Sequence, residues 1–381
     1  MEKHENTFFR TVLVFSIFMI VTIAFTLIFA EIALRFYHYG QISIVKNDDA
    51  SRIKLNRYNE ELGWTNIPNF EGYLSDPKEG FNGFIKFDEN GIRVNDNDIN
   101  AEGEAILMIG GSITGGFEVD NNETYTAVLE REFFENGCNY RVYNAGVNGY
   151  GTDQSLWNLE RLLNIIKPKY VIYMFSSDDF ENNRSIKISN TIWGKPAFAY
   201  GKEELILHNM PSEKFDVSYY AYIKYTDEGY DLVEGNINQM QLSLMTFIKN
   251  NFALYYPLRN IYAYLKISPE NSMEKKVRYE DFKVLELILK SMKKDGIELF
   301  VTSNTTENDE EYTDDLIKIS DKLDITYLNI FPYFTEDPGY YGWKTDTHWN
   351  EKGHSQAAAA LYDLLNPLLC NKEVTVGSAQ E

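Results

Sequence analysis

The chain has little of several things that mark a protein class. Its 381 residues include two cysteines, Cys138 and Cys370, and five histidines. Two thiols are too few for a disulfide scaffold or a multi-thiolate metal site, and each reads first as a solitary thiol. No His-Glu-x-x-His or comparable ligand spacing occurs, so neither metal nor cofactor is expected. Pro/Ser-rich linkers and internal repeats are also missing, which leaves one large domain with insertions rather than a string of modules or a solenoid. Positive charge is outnumbered, 36 Lys and Arg against 57 Asp and Glu, for a net charge of −21. With no basic stripe to release counterions from a phosphate backbone, nucleic acid is excluded as a partner.

Charge is missing altogether from Thr11 to Ala30. At about 1.5 Å per residue, roughly 20 apolar residues cross the hydrocarbon of a bilayer. Residues 1–35 therefore read as an N-terminal membrane anchor with its span at about 11–30, bracketed by Arg10 and Glu31. A cleaved signal peptide is the competing reading, since Ile28-Phe29-Ala30 passes as a cleavage site, but the run is long and lacks a polar region before it. Lys3 and Arg10 on one side are matched by Arg35 and Lys46 on the other, so charge does not set the orientation.

Residues 36–102 carry turn signals around short runs, such as Asp88-Glu89-Asn90-Gly91 after Phe84-Ile85-Lys86-Phe87, and read as a β-rich segment of hairpins. From residue 103 the texture alternates. Strands are expected at Ala105–Ile109, Tyr140–Tyr143, Tyr170–Phe175, Leu299–Thr302 and Ile325–Ile330. Helices are expected at Thr124–Phe134, Gln154–Ile166, Tyr279–Lys294, Glu310–Leu323 and Glu351–Leu365. Strands alternating with helices pair in parallel through right-handed crossovers, giving a three-layer α/β domain over 103–370. An insertion at about 183–278 interrupts it, with hairpin-like stretches near Pro196–Tyr200 and Glu204–Leu207 and helical patterns through Met240–Leu265. It is either a lid or a packing element. Residues 371–381 read as a flexible tail.

In such a sheet, reactive groups belong at the carboxyl ends of the strands. Ser112 follows the first strand on the glycine turn Gly110-Gly111, and Asp346-Thr347-His348-Trp349-Asn350 lies before the last helix. A serine hydroxyl needs an imidazole to take its proton, and the imidazole needs a carboxylate to orient it. His4 and His38 flank the span, His208 falls in the insertion, and His354 sits on the closing helix, where packing or a helix-terminal hydrogen bond suits it. His348 remains as the candidate general base.

Four blocks in one order, Gly110-Gly111-Ser112-Ile113-Thr114, Asn144 to Gly151, Ser177-Asp178-Asp179 and Asp346-Thr347-His348, resemble the SGNH (GDSL-type) hydrolases over roughly residues 106–365. The resemblance implies a flavodoxin-like α/β/α sandwich with a parallel sheet. It implies Ser112 as nucleophile, His348 as base and Asp346 as the orienting carboxylate. Its oxyanion hole would use the N–H groups of Ser112 and Gly149 and a third donor at Asp178, where the family has an asparagine. A carboxylate donates only when protonated. Three readings follow: burial and the neighbouring Asp179 keep Asp178 neutral, Asn182 or Asn183 supplies the amide, or the domain binds without turnover. Gly111 replaces the aspartate of the Gly-Asp-Ser pattern. The last block is Asp-x-His rather than Asp-x-x-His, a spacing similar to that of alginate O-acetylation proteins; in an extended loop it still puts both side chains on one side. In the sandwich, the first and last helices share a face and end near Cys138 and Cys370, so the resemblance makes a disulfide between them sterically feasible, as an exoplasmic compartment would favour.

The expectation is therefore a single-pass protein of the cytoplasmic membrane with its globular part outside. It would act as a serine esterase or O-acyltransferase on acyl, chiefly acetyl, esters of a carbohydrate or cell-surface glycan. Relatives of this kind also imply a membrane-bound O-acyltransferase as a partner. The competing class is a catalytically degenerate glycan-binding or assembly protein on the same scaffold.

Overall fold

A computed structural model describes residues 2–37, 55–76, 80–97, 99, 103–187, 192–216, 219–236, 279–304, 310–336, 338–343 and 348–370. It divides into two compact units, one holding the N-terminal helix and the other the described residues from Leu55 onward. The helical patterns expected at 240–265, the tail at 371–381 and Asp346 lie outside the described residues.

Helix α1 spans Glu2–Tyr37. Its stretch Arg10–Ala33 is long and apolar enough to cross a membrane, a test that a signal sequence also passes. Thr22 and Thr26 return their hydroxyls to the carbonyls of Phe18 and Thr22, each at 2.9 Å, which satisfies both groups within the helix.

The second unit begins with two antiparallel hairpins, β1 (Asn56–Asn59) with β2 (Gly63–Asn66) and β3 (Glu71–Asp76) with β4 (Phe81–Lys86). The sandwich follows as β5 (Glu104–Gly110), α2 (Ser112–Gly115), α3 (Tyr125–Glu135), β6 (Tyr140–Asn144), α4 (Thr152–Ile166), β7 (Tyr170–Phe175) and α5 (Asp178–Arg184). Next come two hairpins, β8 (Ala197–Gly201) with β9 (Glu204–His208) and β10 (Tyr219–Thr226) with β11 (Gly229–Asn236). The chain closes through α6 (Tyr279–Met292), β12 (Glu298–Ser303), α7 (Glu310–Lys322), β13 (Thr326–Leu328), α8 (Pro338–Tyr341) and α9 (Glu351–Leu369).

The central sheet is parallel throughout, in the order β13-β12-β7-β5-β6. Numbered within the domain and read from the other edge, that is 2-1-3-4-5, the flavodoxin-like order. Central strands are covered on both faces and so read as unbroken apolar runs; every residue of β7 is buried. Edge strand β6 alternates, burying Tyr140, Val142 and Asn144. Side chains of α3 and α9 form the core on one face, with Leu129, Phe133, Leu361 and Leu365 fully buried. On the other face α4, α6 and α7 pack with the β8–β9 and β10–β11 hairpins, whose Ala197, Ala199 and Ile223 are fully buried. In the described part of the insertion, these hairpins pack onto that face of the sandwich. Cys138 and Cys370, beyond the ends of α3 and α9, are joined in a disulfide with Cα atoms 5.8 Å apart.

The leading hairpins do more than precede the sandwich. Leu62 and Trp64 pack with Val147 and Tyr150 of the loop after β6, while Phe81, Ile85 and Phe87 pack with Phe117 of the loop after β5. Tyr150 donates its hydroxyl to Trp64 O at 2.5 Å, and the Trp64 indole donates to Asn148 O at 2.9 Å. The β-rich segment therefore buttresses the two loops that carry the first and second blocks.

Candidate active site

Ser112 stands at the carboxyl end of β5, on the first turn of α2. Gly110 precedes that turn with φ 153°, and a Cβ there would lie 2.6 Å from Thr114 Oγ1 and 2.9 Å from Met174 O. Only glycine accommodates both the conformation and the close approach of β7. The sequence spacing Gly-Gly-Ser is thereby explained without appeal to chemistry, and it leaves the hydroxyl half-buried at the strand tip.

His348 comes from the opposite end of the chain. Its neighbours locate it: Trp349 is buried against Tyr125, Phe334 and His354. Asn350 caps α9 by accepting from the N–H groups of Lys352 and Gly353, and its amide donates to the carbonyls of Tyr340 and Gly342. The Trp-Asn pair after the histidine is a packing and capping device that aims the ring. Nε2 of His348 lies 2.6 Å from Ser112 Oγ, across 236 residues of chain. The Nδ1 side faces Glu118, with Oε1 at 3.7 Å. Side chains of both residues are largely enclosed, 16% exposed for the histidine and 3% for the glutamate. Asp346, the expected orienting carboxylate, cannot be placed among the described residues.

His354 is the second imidazole nearby and has a different job. It is buried, stacks on Tyr125 and accepts the Tyr125 backbone N–H at Nδ1, 3.2 Å away. Burial, with help from Arg93 and His348, pushes its pKa down to about 3, so it stays neutral and caps the start of α3.

Beneath the loop after α2 lies Arg93, fully buried and overlooked by sequence reasoning. Burial lowers its pKa to about 10, against the pull of Glu118, Asp120, Asp96 and Glu123. Its five N–H groups go to Asn121 Oδ1 and to the carbonyls of Gly115, Gly116, Val119 and Phe84. A charged residue between Ile92 and Val94 was the only signal available.

Of the residues that the resemblance implies as oxyanion donors, Gly149 lies in the loop after β6 with φ 77°, and its N–H is not engaged by another backbone group among the described residues. Asp178 opens α5 and is exposed. The burial invoked to keep it neutral falls instead on Asp179, which accepts from the Tyr173 hydroxyl and from Ser176 N. Burial chiefly, with a contribution from Asp178, raises the Asp179 pKa to about 8. Asn183 is engaged at the start of α4: its Oδ1 accepts from Asp153 N and its Nδ2 donates to Thr152 Oγ1. Behind it, Lys195 and Asp153 form a fully buried ion pair. Asn182 remains half-buried, close to Gly151.

No family profile matches the chain. Esterase TesA of Pseudomonas aeruginosa is 29% identical over 79 residues, which are 21% of this chain and 39% of that protein. The chain thus matches about two-fifths of the length of that relative. Among solved structures, TesA covers 70% of this chain and 100% of its own at 13% identity and TM-score 0.40. A family 3 carbohydrate esterase of Clostridium thermocellum covers 70% and 97% at 11% identity and TM-score 0.39. An acetylxylan esterase of Geobacillus stearothermophilus, carrying a catalytic substitution, covers 70% and 95% at 14% identity and TM-score 0.38. In the order of its sequence blocks and in the order of its parallel strands, this chain resembles the SGNH (GDSL-type) hydrolases.

Proposed function

We propose that the protein is a membrane-anchored serine esterase or O-acyltransferase acting on acyl esters, chiefly acetyl esters, of a carbohydrate or cell-surface glycan. The observation that carries this reading is the 2.6 Å approach of His348 Nε2 to Ser112 Oγ. In this reading Ser112 Oγ attacks the ester carbonyl while His348 takes its proton. The tetrahedral oxyanion is received by the N–H groups of Ser112 and Gly149, and collapse returns the proton to the departing sugar alkoxide. Water then resolves the acyl-enzyme to give hydrolysis, or a second sugar hydroxyl resolves it to give transfer. Asp346 is assigned the role of orienting His348. With transfer, the acyl donor would be fed from a membrane-bound O-acyltransferase.

The span in α1 and the disulfide between Cys138 and Cys370 support a globular part outside the cytoplasmic membrane, where thiols oxidise. A second reading, a glycan-binding protein without turnover, is favoured by one observation: the position to which the resemblance assigns an amide donor holds Asp178, an exposed carboxyl, and Asn183 is engaged at the start of α4. Turnover of p-nitrophenyl acetate by the detergent-solubilised full chain decides between them. Ser112→Ala is expected to lose about 10⁴-fold in kcat. Equal rates in the two proteins would remove the enzymatic reading for this substrate.

A further inference from the structure

We propose that Glu118 is a positioning residue for the general base, a buried carboxylate that faces the Nδ1 side of His348 and favours its protonated form. The proposal rests on Ser112 and His348 being nucleophile and base. Three observations carry it.

The first is placement. Oε1 of Glu118 lies 3.7 Å from Nδ1 of His348, on the side of the ring opposite Ser112. That is too long for a hydrogen bond but close enough for a carboxylate to act on an imidazolium in a site from which water is largely excluded.

The second is burial. Glu118 sits between Phe117 and Val119 in a loop whose three successive side chains are all buried. Glutamate is almost never enclosed unless its charge is compensated.

The third is the way the loop is fixed. Arg93 directs all five N–H groups to the carbonyls of Gly115, Gly116, Val119 and Phe84 and to Asn121, so it grips the backbone on both sides of Glu118 and lends it positive charge without a bidentate bond to the carboxylate. Strand β4 closes the far side: a Cβ on Gly83 would lie 2.8–3.0 Å from the backbone of Val119. The carboxylate is thus carried on a loop clamped from two directions and presented to the imidazole.

In the reaction, the proton leaving Ser112 makes His348 cationic, and a fixed anion beside Nδ1 lowers the energy of that state. Other charged or titratable groups act on the same neighbourhood: Arg93, Asp96, Asp120 and Glu123 around the loop, Tyr125 on α3 and His354 on α9. Lys344 and Asp346 of the adjoining segment lie outside the described residues.

The test uses the full chain in detergent, with p-nitrophenyl acetate as probe from about pH 5 to pH 9. The acid limb of the kcat/KM profile reports the pKa of the base, and an opposite charge nearby raises that pKa. Glu118→Gln is expected to move the limb to lower pH by at least half a unit and to lower the plateau kcat about tenfold, part of the ~10²–10⁴ that general-base catalysis supplies, with KM little changed. Glu118→Asp keeps the charge beside Arg93 but withdraws it from the ring. It is expected to move the limb in the same direction by less, whereas a purely structural role would leave its profile like that of the wild type. Limbs within about 0.2 units of the wild type in both variants would overturn the proposal. NMR titration of the labelled His348 ring in Ser112→Ala, with and without Glu118→Gln, reads the pair without turnover. If Ser112→Ala proved fully active, the catalytic reading would fail while this titration still judged whether Glu118 acts on His348.

Discussion

On the side of the site that carries Ser112 and His348, several described neighbours are committed: Arg93 to the loop carbonyls, Trp349 and Asn350 to packing and capping beside the ring, His354 to the start of α3. On the side that carries Asp178, the buried groups are engaged with one another and with the adjoining backbone. Asp179 turns to Tyr173 and Ser176, Asn183 to α4, and Lys195 to Asp153, while Asp178 itself is exposed. The contrast separates two demands of acyl transfer. Proton removal from a serine needs a preorganised base, whereas oxyanion stabilisation needs donors, of which two backbone N–H groups can supply a share. In the proposed reading the first demand is met by the packing around His348 and the second by the backbone N–H groups of Ser112 and Gly149.

Substitutions can break this comparison. The largest effect belongs to His348→Ala, expected to cost about 10⁴-fold in kcat on p-nitrophenyl acetate, comparable to Ser112→Ala and not additive with it, because the two act as one unit. A double variant much slower than either single one would show that they do not. Next comes Asp178→Asn. A missing oxyanion donor is worth about 10²–10³ in rate, so an amide there is expected to raise kcat by roughly tenfold or more if it reaches the oxyanion. Collapse of activity instead would assign the carboxyl group a role of its own.

The remaining effect is on stability and leaves the rate aside. A carboxyl whose folded pKa is raised to about 8 binds a proton in the native state that the unfolded chain has already released. Stability from Asp179 is therefore full below about pH 4 and declines as pH rises toward about 8. Thermal unfolding of Asp179→Asn is expected to show a shallower loss between those limits than the wild type, by an amount on the order of a few kcal/mol. Parallel curves for the two proteins would place the titration elsewhere.

Much of the scaffold is legible in the chain because the physics is local. The run Tyr170–Phe175 contains no charged residue because β7 is covered on both faces, and the strand emerges with those bounds. Ser112 and His348 are legible because a glycine turn after such a strand and a histidine before a capped helix are both short-range patterns. What the sequence conceals is burial decided from afar. Glu118 resembles the chain's many surface acids, and its enclosure depends on Arg93 reaching up from the preceding segment and on Gly83 letting β4 approach. Asp178 and Asp179 are adjacent and chemically alike, so only the turn of α5 decides that the second points inward. The Asp153–Lys195 pair joins residues 42 apart, one at the start of α4 and one entering the insertion. Hairpins form at 56–66 and 71–86, yet nothing local in the sequence says that Trp64 packs with Val147 and Tyr150 or that Phe81 packs with Phe117.

Whether His348 activates Ser112 can be read by covalent labelling, without choosing a natural substrate. The full chain would be treated with a fluorophosphonate ester, which reacts with activated serines, and the adduct located by intact-mass and peptide mass spectrometry. One adduct on Ser112 is expected in the wild type, none at that position in Ser112→Ala, and labelling slowed by at least about a hundredfold in His348→Ala. A wild-type protein that takes no label, or that labels at the same rate without His348, would contradict the account.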